Sequence, residues 1–223
     1  MIIAIDGPSG AGKSTISSLV AKKLGFNCLD TGAMYRAVTV FALDNGVSLD
    51  DQIKLTDIAE SKAIDFSYAQ DSPSPVAVFI DGRDVTKEIR ESRTDKAVTP
   101  VCQVNGVRKA LVEQQRRIGS SANYVVEGRD IGTVVFPHAQ LKIYMTASAQ
   151  ARAKRRVLQN EHRGIGDTNF DKVLEDMQRR DKADENRENS PLKLAKDSIF
   201  LDTSDMTLEQ VVDKICKLAQ RHE

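Results

Sequence analysis

The chain has 223 residues, enough for one substantial hydrophobic core and too few for several independent domains. Its 32 basic side chains balance 32 acidic ones, so no global positive field exists to attract nucleic acid or an anionic membrane. The three cysteines are scattered and form no C-x-x-C pair, which argues against a disulfide framework or a zinc site. We therefore expect reduced thiols in a cytoplasmic protein, and no apolar run approaches membrane-spanning length.

The first predicted element is a buried strand at residues 1–5, followed by a glycine-rich loop and a helix over residues 15–24. The loop reads G-P-S-G-A-G-K-S and fits the phosphate-loop pattern G-x-x-x-x-G-K-S/T. Its backbone N–H groups can turn toward an anion, and the helix adds the positive end of its dipole. Lys13 is expected to reach the β- and γ-phosphates of ATP, and Ser14 to ligate Mg²⁺. The predicted ATP-binding residues are Gly7, Pro8, Ser9, Gly10, Ala11, Gly12, Lys13, Ser14 and Thr15.

A second short strand is predicted at residues 26–29, followed by the polar stretch D-T-G-A-M-Y-R and another helix. A strand that ends in a polar turn usually opens onto a ligand crevice in an open α/β sheet. Arg36 is placed in the first turn of the helix, where a cation opposes the helix dipole, so a bound anion would explain it. A solvated arginine is the alternative.

Residues 62–96 interrupt the alternation of strands and helices and predict an inserted lobe. A charged helix over residues 50–63 is followed by two strands, at 64–68 and 76–80, joined by the Pro-rich stretch D-S-P-S-P. This pattern is typical of a small antiparallel sheet. The core is then expected to comprise about 1–61, 97–148 and 188–223.

The remaining pattern predicts helices at 94–104 and 107–118, strands at 123–126, 141–145 and 199–202, and a closing helix at 208–219. Strands separated by helices predict an α/β fold with a five-stranded parallel sheet covered on both faces, the architecture of P-loop NTPases. Polar residues again follow a strand directly, in the stretch E-G-R-D-I-G-T at 127–133.

The segment between the last two strands is the most charged part of the chain. A basic helix at 151–159, the break Gly164-Ile165-Gly166 and a second helix at 170–187 suit a mobile lid over about 149–187. On the second helix, Arg180, Asp184 and Arg187 share one face. An ion pair between Arg180 and Asp184 is the alternative to a role in binding.

A phosphate loop by itself is compatible with GTPases, motor and transport ATPases, and small kinases. The chain has no N-K-x-D base-reading motif and no second nucleotide domain, which leaves a small-molecule kinase. Transfer between two polyanions requires many cations, and arginine forks suit phosphate oxygens. Six arginines fit this role: Arg36, Arg129 and Arg187 for an acceptor phosphate, and Arg152, Arg155 and Arg156 for the group in transfer.

Six motifs together resemble those of the cytidylate kinases, within the nucleoside monophosphate kinase family. They are I-D-G-P-S-G-A-G-K-S at 5–14, L-D-T-G-A-M-Y-R at 29–36, D-G-R-D-V-T-K-E-I-R at 81–90, E-G-R-D-I-G-T-V-V-F-P at 127–137, R-A-K-R-R at 152–156 and R-D-x-x-D-x-N-R at 180–187. The resemblance spans nearly the whole chain. It implies Mg²⁺-assisted transfer of phosphate from ATP to CMP and dCMP, in pyrimidine nucleotide metabolism, with 62–96 as a monophosphate-binding insert.

The resemblance also implies a role for each site residue. The cytosine ring would be read by Thr99, Arg108 and Asp130, the sugar by Arg180 and Asp184, and the acceptor phosphate by Arg36, Arg129 and Arg187, with Thr31 in the same pocket. The catalytic set would comprise Lys13, Arg129, Arg152, Arg155, Arg156 and Arg187.

Four positions depart from the pattern of enterobacterial members of this family. Ser14 and Thr31 stand where those carry Gly and Ser, Thr99 stands where they carry Ser, and Glu127 replaces an Asp. Hydroxyl groups are retained at 31 and 99, so we expect the base and phosphate contacts to persist. The added methyl groups can alter how strictly deoxyribose is accepted, and Ser14 restores the ordinary phosphate-loop magnesium ligand.

Two other functions stay open at the level of the residues. One is a kinase of the same architecture for another acceptor, such as UMP or a non-nucleotide alcohol. The other is a nucleotide-sensing module without turnover, against which the intact Lys13 and the arginine set argue. Nucleic-acid binding is disfavoured by the charge balance and by the absence of Trp. We expect ATP and CMP or dCMP as partners, no membrane or nucleic acid, and a monomer.

Overall fold

The computed structural model describes residues 1–70, 72–164 and 166–221. Asp71 of the predicted Pro-rich connection and Ile165 of the predicted glycine break lie outside this description. The chain divides into two compact units, which are described separately: Met1–Cys28 with Asn123–Glu223, and Leu29–Ala122.

The elements alternate in type for most of the chain. The strands are β1 (Ile2–Asp6), β2 (Asn27–Asp30), β3 (Ile64–Tyr68), β4 (Pro75–Ile80), β5 (Arg83–Asp84), β6 (Tyr124–Gly128), β7 (Leu141–Thr146) and β8 (Ile199–Asp202). The helices are α1 (Lys13–Leu24), α2 (Thr31–Asp44), α3 (Gln52–Ser61), α4 (Ser92–Gln103), α5 (Asn105–Gly119), α6 (Ala149–Arg163), α7 (Phe170–Asn186) and α8 (Leu208–Ala219). A short 3₁₀ helix at Glu88–Arg90 and a π-helix at Ile131–Val135 were not predicted.

The five-stranded parallel sheet has the order β2-β6-β1-β7-β8, which confirms the predicted fold class. Strand β1 lies at its centre, with Ile3 opposite Val125 of β6 on one side and Leu141 of β7 on the other. A strand with a neighbour on each side and packed faces is apolar throughout, which explains the run at the start of the chain.

Helices α1 and α8 cover one face of this sheet. Ile3 and Ile5 point toward that face and share a hydrophobic cluster with Ile16, Val20 and, from α8, Ile215. Each of these side chains is at most 3% exposed, so each contributes about 1.5–3 kcal/mol of hydrophobic free energy. The core of this unit therefore fixes the strand from which the phosphate loop emerges.

The second unit contains the predicted antiparallel sheet, formed by three strands in the order β3-β4-β5. Helix α3 packs on α5 so closely that a Cβ added at Gly106 would lie 2.2 Å from the Thr56 hydroxyl oxygen. The bounds predicted for an insert at 62–96 and a lid at 149–187 stay predictions.

The start of α2 differs from the sequence prediction. The Asp30 carboxylate accepts a hydrogen bond from the backbone N–H of Ala33 at 3.2 Å and caps the helix, which therefore begins at Thr31. The predicted polar turn is helical, and Arg36 is the sixth helical residue rather than a member of the first turn. The expectation of an unfavourable dipole at Arg36 is thus wrong, because the dipole acts within the first turn.

Helix α7 ends earlier than predicted, at Asn186, and Arg187 follows it with extended backbone.

Within the described part of the chain, no helix has the length and apolar character needed to cross a bilayer.

Candidate active site

The phosphate loop leaves β1 at Gly7, where no side chain fits. A Cβ at this residue would lie 1.9 Å from the Met145 carbonyl oxygen of the neighbouring strand, and its φ of 153° is rarely adopted by other residues. A Cβ at Gly10 would lie 2.3 Å from the terminal carbon of Met177 on α7. The loop is therefore held tightly against β7 and α7, and glycine is required by space as well as by conformation.

Lys13 is the first residue of α1, and its ammonium group is buried. Its Nζ donates to the Pro8 carbonyl oxygen at 2.8 Å, inside the loop. Burial and the charge of Arg129 lower the pKa of Lys13 to about 7, although the charges of Glu127, Asp6 and Asp184 act in the opposite direction. A bound polyphosphate would add negative charge beside the ammonium and favour its protonated form.

Ser14 and Glu127 meet where α1 begins and β6 ends. The serine hydroxyl donates to the Glu127 carboxylate. A hydroxyl and a carboxylate oxygen are hard donors of the kind that Mg²⁺ prefers, so the residues present fit that ion. Among the described residues, no three His, Cys, Asp or Glu side chains form a metal-binding group.

Arg129 and Asp184 form a close ion pair. The arginine Nε donates to the Asp184 Oδ2 at 2.8 Å, and both side chains are largely buried. Burial by itself would raise the pKa of Asp184, but the charge and hydrogen bond of Arg129, with help from Arg180 and Arg187, hold it below its usual range. The carboxylate is therefore charged and keeps the guanidinium in place.

Asp130 and Arg187 form a second pair beside the first. Arg187 Nη2 lies 3.5 Å from Asp130 Oδ1, both side chains are under 10% exposed, and Arg187 Nε donates to the Ser190 carbonyl oxygen. The sequence separates Asp130 from Arg187 by more than fifty residues, and the fold brings them together. Two arginine–aspartate pairs among the predicted acceptor-binding residues thus form in this unit, Arg129 with Asp184 and Arg187 with Asp130.

Arg152, one of the arginines predicted to lie in a lid, makes three polar contacts in the structure. Its Nε donates to Ala147 O and its Nη1 to Ser9 O, each at 2.9 Å, while Nη2 lies 2.7 Å from Asp181 Oδ2. The guanidinium is buried and joins the phosphate loop to α6 and α7. Its observed contacts are thus with the backbone of the loop and with Asp181.

The next lid arginine, Arg155, binds the segment after β8. Its Nη2 donates to the Thr203 carbonyl oxygen at 2.8 Å. Arg156 follows on the same helix and is half-buried, as is Arg180 on α7. All three belong to the unit that carries the phosphate loop, and their roles stay predictions.

The second unit carries the other predicted acceptor residues. Thr31 is buried at the start of α2. Arg36 donates from Nη1 to the Ile89 carbonyl oxygen at 2.9 Å, and its Nη2 lies 2.5 Å from Asp95 Oδ1. Arg36 is thus not a simply solvated arginine, because its guanidinium is paired with the Asp95 carboxylate.

The second unit holds two of the arginines predicted to bind the acceptor, Arg36 and Arg108, and Arg108 is the more buried. Its Nη1 donates to Cys102 O at 3.3 Å, and its guanidinium lies 5.4 Å from the centre of the Tyr35 ring. Thr99 is half-buried on α4. Its neighbours Lys109, Arg116 and Arg117 are exposed. Burial therefore distinguishes Arg108 from them, whereas the helical periodicity of the sequence does not.

Sequence reasoning missed the residues that hold the predicted ones in place. They are Asp6, Glu127 as the acceptor for Ser14, Asp181 as the partner of Arg152, and Asp95 as the partner of Arg36. Asp6 alone had a usable signal, because a polar residue at the end of a buried strand usually faces a site.

A comparison with family models matches residues 3–221 to the family described as cytidylate kinase. A cytidylate kinase of Lysinibacillus sphaericus is 44% identical over 218 residues, covering 98% of this chain and 96% of that one. A cytidylate kinase of Rhodococcus opacus is 48% identical over 216 residues, covering 96% and 93%. Among solved structures, a shikimate kinase from Bacteroides thetaiotaomicron is 11% identical with a TM-score of 0.51, covering 99% of this chain and 98% of that one, and shows the shared fold alone.

Proposed function

The chain belongs to the cytidylate kinase family and transfers the γ-phosphoryl group of ATP to CMP, and we propose how its residues divide that reaction. The observation that carries the proposal is the set of charges around Lys13. Arg129, Glu127, Asp6 and Asp184 all lie close enough for their charges to act on its ammonium group. A cation for the donor phosphates and an arginine–aspartate pair for the acceptor therefore belong to one cluster.

Lys13 is proposed to bind the β- and γ-phosphates, together with the backbone N–H groups of the loop. Its Nζ donates to the Pro8 carbonyl oxygen at 2.8 Å, inside the loop that would hold those phosphates. A positive group fixed where charge develops stabilises the transition state without reorganisation.

Arg129 and Arg187 are proposed to hold the acceptor phosphate. Each guanidinium is anchored by a carboxylate, Asp184 in one case and Asp130 in the other. An anchored fork loses less conformational entropy when it binds a phosphate than a solvated one does. The phosphate oxygen of CMP is itself the nucleophile, so positioning and charge suffice and no strong general base is needed.

Asp130 is proposed to select cytosine. Cytosine carries an amino group where uracil carries a carbonyl, so a carboxylate can accept a hydrogen bond from the first and repels the second. Recognition through hydrogen bonds can discriminate by about 10⁴ to 10⁵, whereas shape alone gives on the order of 10 to 200. Arg180 and Asp184 are proposed to contact the sugar, and we propose that dCMP is accepted as well as CMP.

In the second unit, Thr99 and Arg108 are proposed to contact the base, and Arg36 the acceptor phosphate, with Thr31 beside it. Support comes from the family motifs and from the burial of Arg108 and Thr31. The Arg36 guanidinium is held by Ile89 O and Asp95, and a phosphate would compete with that carboxylate.

Mg²⁺ is proposed as the cofactor, with Ser14 as its protein ligand and Glu127 as the group that orients the hydroxyl. When bound, the ion neutralises charge on the phosphates of ATP. Arg155 and Arg156 are proposed to act on the group in transfer. Arg152 is proposed to join them. In the structure its guanidinium donates hydrogen bonds to Ser9 O and Ala147 O and pairs with Asp181.

The proposed partners are small molecules alone, with no nucleic acid or membrane, and the proposed state is a cytoplasmic monomer. The balance of charge and the three cysteines, none of which is paired in a disulfide, support this assignment. Light scattering on the purified protein measures the oligomeric state directly.

A panel of acceptors tests the function and the residue roles together. ADP release is measured with CMP, dCMP, UMP, AMP and shikimate, and formation of CDP is confirmed by chromatography. We expect CMP and dCMP to be the best acceptors, and Asp130→Ala to lose CMP turnover far more than ATP affinity. Unchanged CMP kinetics in that variant would remove Asp130 from the base site.

A further inference from the structure

We propose that Asp6 is a positioning residue that sets the place of Asp130 and Arg129 and thereby governs recognition of the acceptor nucleotide. The inference rests on the proposed function, because it assigns Asp6 a task in the same site. Asp6 lies in neither the phosphate-loop pattern nor the acceptor set, and its side chain points at protein backbone rather than at a ligand.

The contacts of Asp6 are specific. It is the last residue of β1 and 5% exposed. Its Oδ1 accepts from the N–H of Ile131 and its Oδ2 from the N–H of Gly132, each at 2.7 Å. Two successive backbone donors therefore converge on one carboxylate, at the first turn of the π-helix.

A carboxylate is the side chain that this arrangement requires. The first N–H groups of a helix have no partners within it, and a buried donor without a partner costs about 1–3 kcal/mol. An amide side chain offers one acceptor and would present an N–H₂ group to the second donor. Burial disfavours the charged form of Asp6, and its presence at such a place indicates that both acceptors are needed.

The two clamped amides follow Asp130 directly. Asp130 is the cap of the π-helix, and its own side chain faces Arg187 at 3.5 Å. The far end of the same segment is held by Lys142, whose Nζ donates to the Pro137 carbonyl oxygen. Residues 131–137 are thus held at both ends. The end held by Asp6 is the one next to Asp130, the residue proposed to read the base.

The donor loop has separate supports, although Asp6 precedes it directly. Lys13 holds Pro8 O and Arg152 holds Ser9 O, while Gly7 is wedged against the Met145 carbonyl. The charge of Asp6 also acts on Lys13, but less than those of Arg129 and Glu127 do. Loss of the Asp6 carboxylate should therefore disturb the acceptor-reading segment more than the ATP grip. This asymmetry separates a positioning role from a general loss of stability.

The test is binding of CMP and of ATP, measured separately by calorimetry on Asp6→Asn. We expect CMP affinity to fall at least about fivefold and ATP affinity to change less than about twofold, because small displacements are costly at an oriented site. The ratio of kcat/KM for CMP over UMP should fall as well. Equal losses for both nucleotides, or no loss of CMP affinity, would overturn the proposal.

Two controls isolate the effect. Asp51→Asn makes the same chemical change at a carboxylate that accepts the backbone N–H of Lys54 at 3.0 Å, and it should leave both affinities unchanged. Ile215→Val lowers stability in the core of the same unit without touching the segment. A CMP-selective loss in Ile215→Val would show that reduced stability alone produces it, which also contradicts the proposal.

If Asp6→Asn does not fold, a second variant tests the same role. A Cβ at Gly132 would lie 3.3 Å from Asp6 Oδ2 and 3.2 Å from Lys142 Cδ, so Gly132→Ala crowds the clamp without removing it. We expect a selective loss of CMP affinity of about two- to threefold, and unchanged CMP affinity would refute the role. Wild-type protein is assayed alongside, since absence of CDP formation there would refute the proposed function instead.

Discussion

The Arg129 guanidinium donates its Nε to the Asp184 carboxylate at 2.8 Å, joining the residue after β6 to helix α7. The bond fixes the orientation of the guanidinium, whose Nη1 also lies 3.5 Å from the Gly128 carbonyl oxygen. Since Arg129 also lowers the pKa of Lys13, the pair lies near the phosphate loop as well. One ion pair thus orders the arginine that we propose for the acceptor phosphate.

The first prediction concerns that pair. Asp184→Asn should lower kcat/KM for CMP by about 10- to 100-fold, because a hydrogen bond to a charged group contributes roughly 1.5–3 kcal/mol. The KM for ATP should stay within about threefold. Asp176→Asn is the matched control, since Asp176 lies on the same helix and pairs with Arg179 in an exposed position. Equal effects of the two variants would show that the pair has no specific role.

The second prediction concerns Lys13. Lys13→Met should fold normally and transfer phosphate about 10²- to 10³-fold more slowly, which is the usual effect of removing one group that stabilises transition-state charge. Its stability should not fall greatly, because burial disfavours the charged ammonium and lowers its pKa. Circular dichroism and CDP formation measure the two properties. Exposed Lys22→Met serves as control, and substantial turnover by Lys13→Met would contradict the loop assignment.

Much of the fold follows from local patterns, and the misses have physical causes. The run before Gly7 predicts β1 because a central parallel strand is apolar on both faces. The start of α2 was misplaced because Asp30 and Gly32 resemble turn residues, whereas Asp30 caps the helix. Composition gives no signal for the π-helix at Ile131–Val135, since long-range bonds from Asp6 support its first turn.

In the candidate site, too, the sequence could predict some residues and not others. Residues within motifs, such as Lys13, could be assigned because loop chemistry is local. Partners of those residues could not, because Glu127 lies 113 positions from Ser14 and Asp181 lies far from Arg152 in the sequence. Only the packing of strands and helices brings such pairs together. This is why Arg180 and Asp184, four residues apart, suggested a pair with each other rather than one with Arg129.

The third prediction concerns Ser14 and its acceptor Glu127. Ser14→Ala should raise the Mg²⁺ concentration for half-maximal activity by about tenfold, because loss of a ligand or of the group that orients it has effects of this order. The matched control is Ser17→Ala on the same helix, whose buried hydroxyl has no hydrogen-bond partner within the described residues. Direct Mn²⁺ binding in the presence of ATP gives a second readout. An unchanged metal requirement would remove Ser14 from the metal site.

The last prediction concerns the pH dependence of stability at Asp6. Burial raises the pKa of Asp6 to about 6 in the folded protein, with the charge of Asp130 acting in the same direction. The unfolded chain has a value near 3.9, so the folded state binds the proton more tightly. The contribution of this residue to stability should therefore grow as the pH falls through 6 toward 4. It should be smallest above pH 7, where the buried group is charged.

Asp6→Asn cannot titrate, so the difference in unfolding free energy between wild type and variant isolates this effect. Urea denaturation at pH 7.5 and pH 5 should show that difference moving in favour of the wild type at the lower pH. Asp51→Asn is the control, because folding lowers the pKa of Asp51 whereas it raises the pKa of Asp6. The N–H of Lys54 holds the pKa of Asp51 below its usual range, so its contribution is constant over that interval and is lost only under more acidic conditions. A difference for Asp6→Asn that does not change between pH 7.5 and pH 5 would show that burial does not shift this carboxyl. Acids far from Asp6 titrate alike in both proteins and cancel in the comparison, whereas Lys13, whose pKa the charge of Asp6 raises, contributes to the same difference.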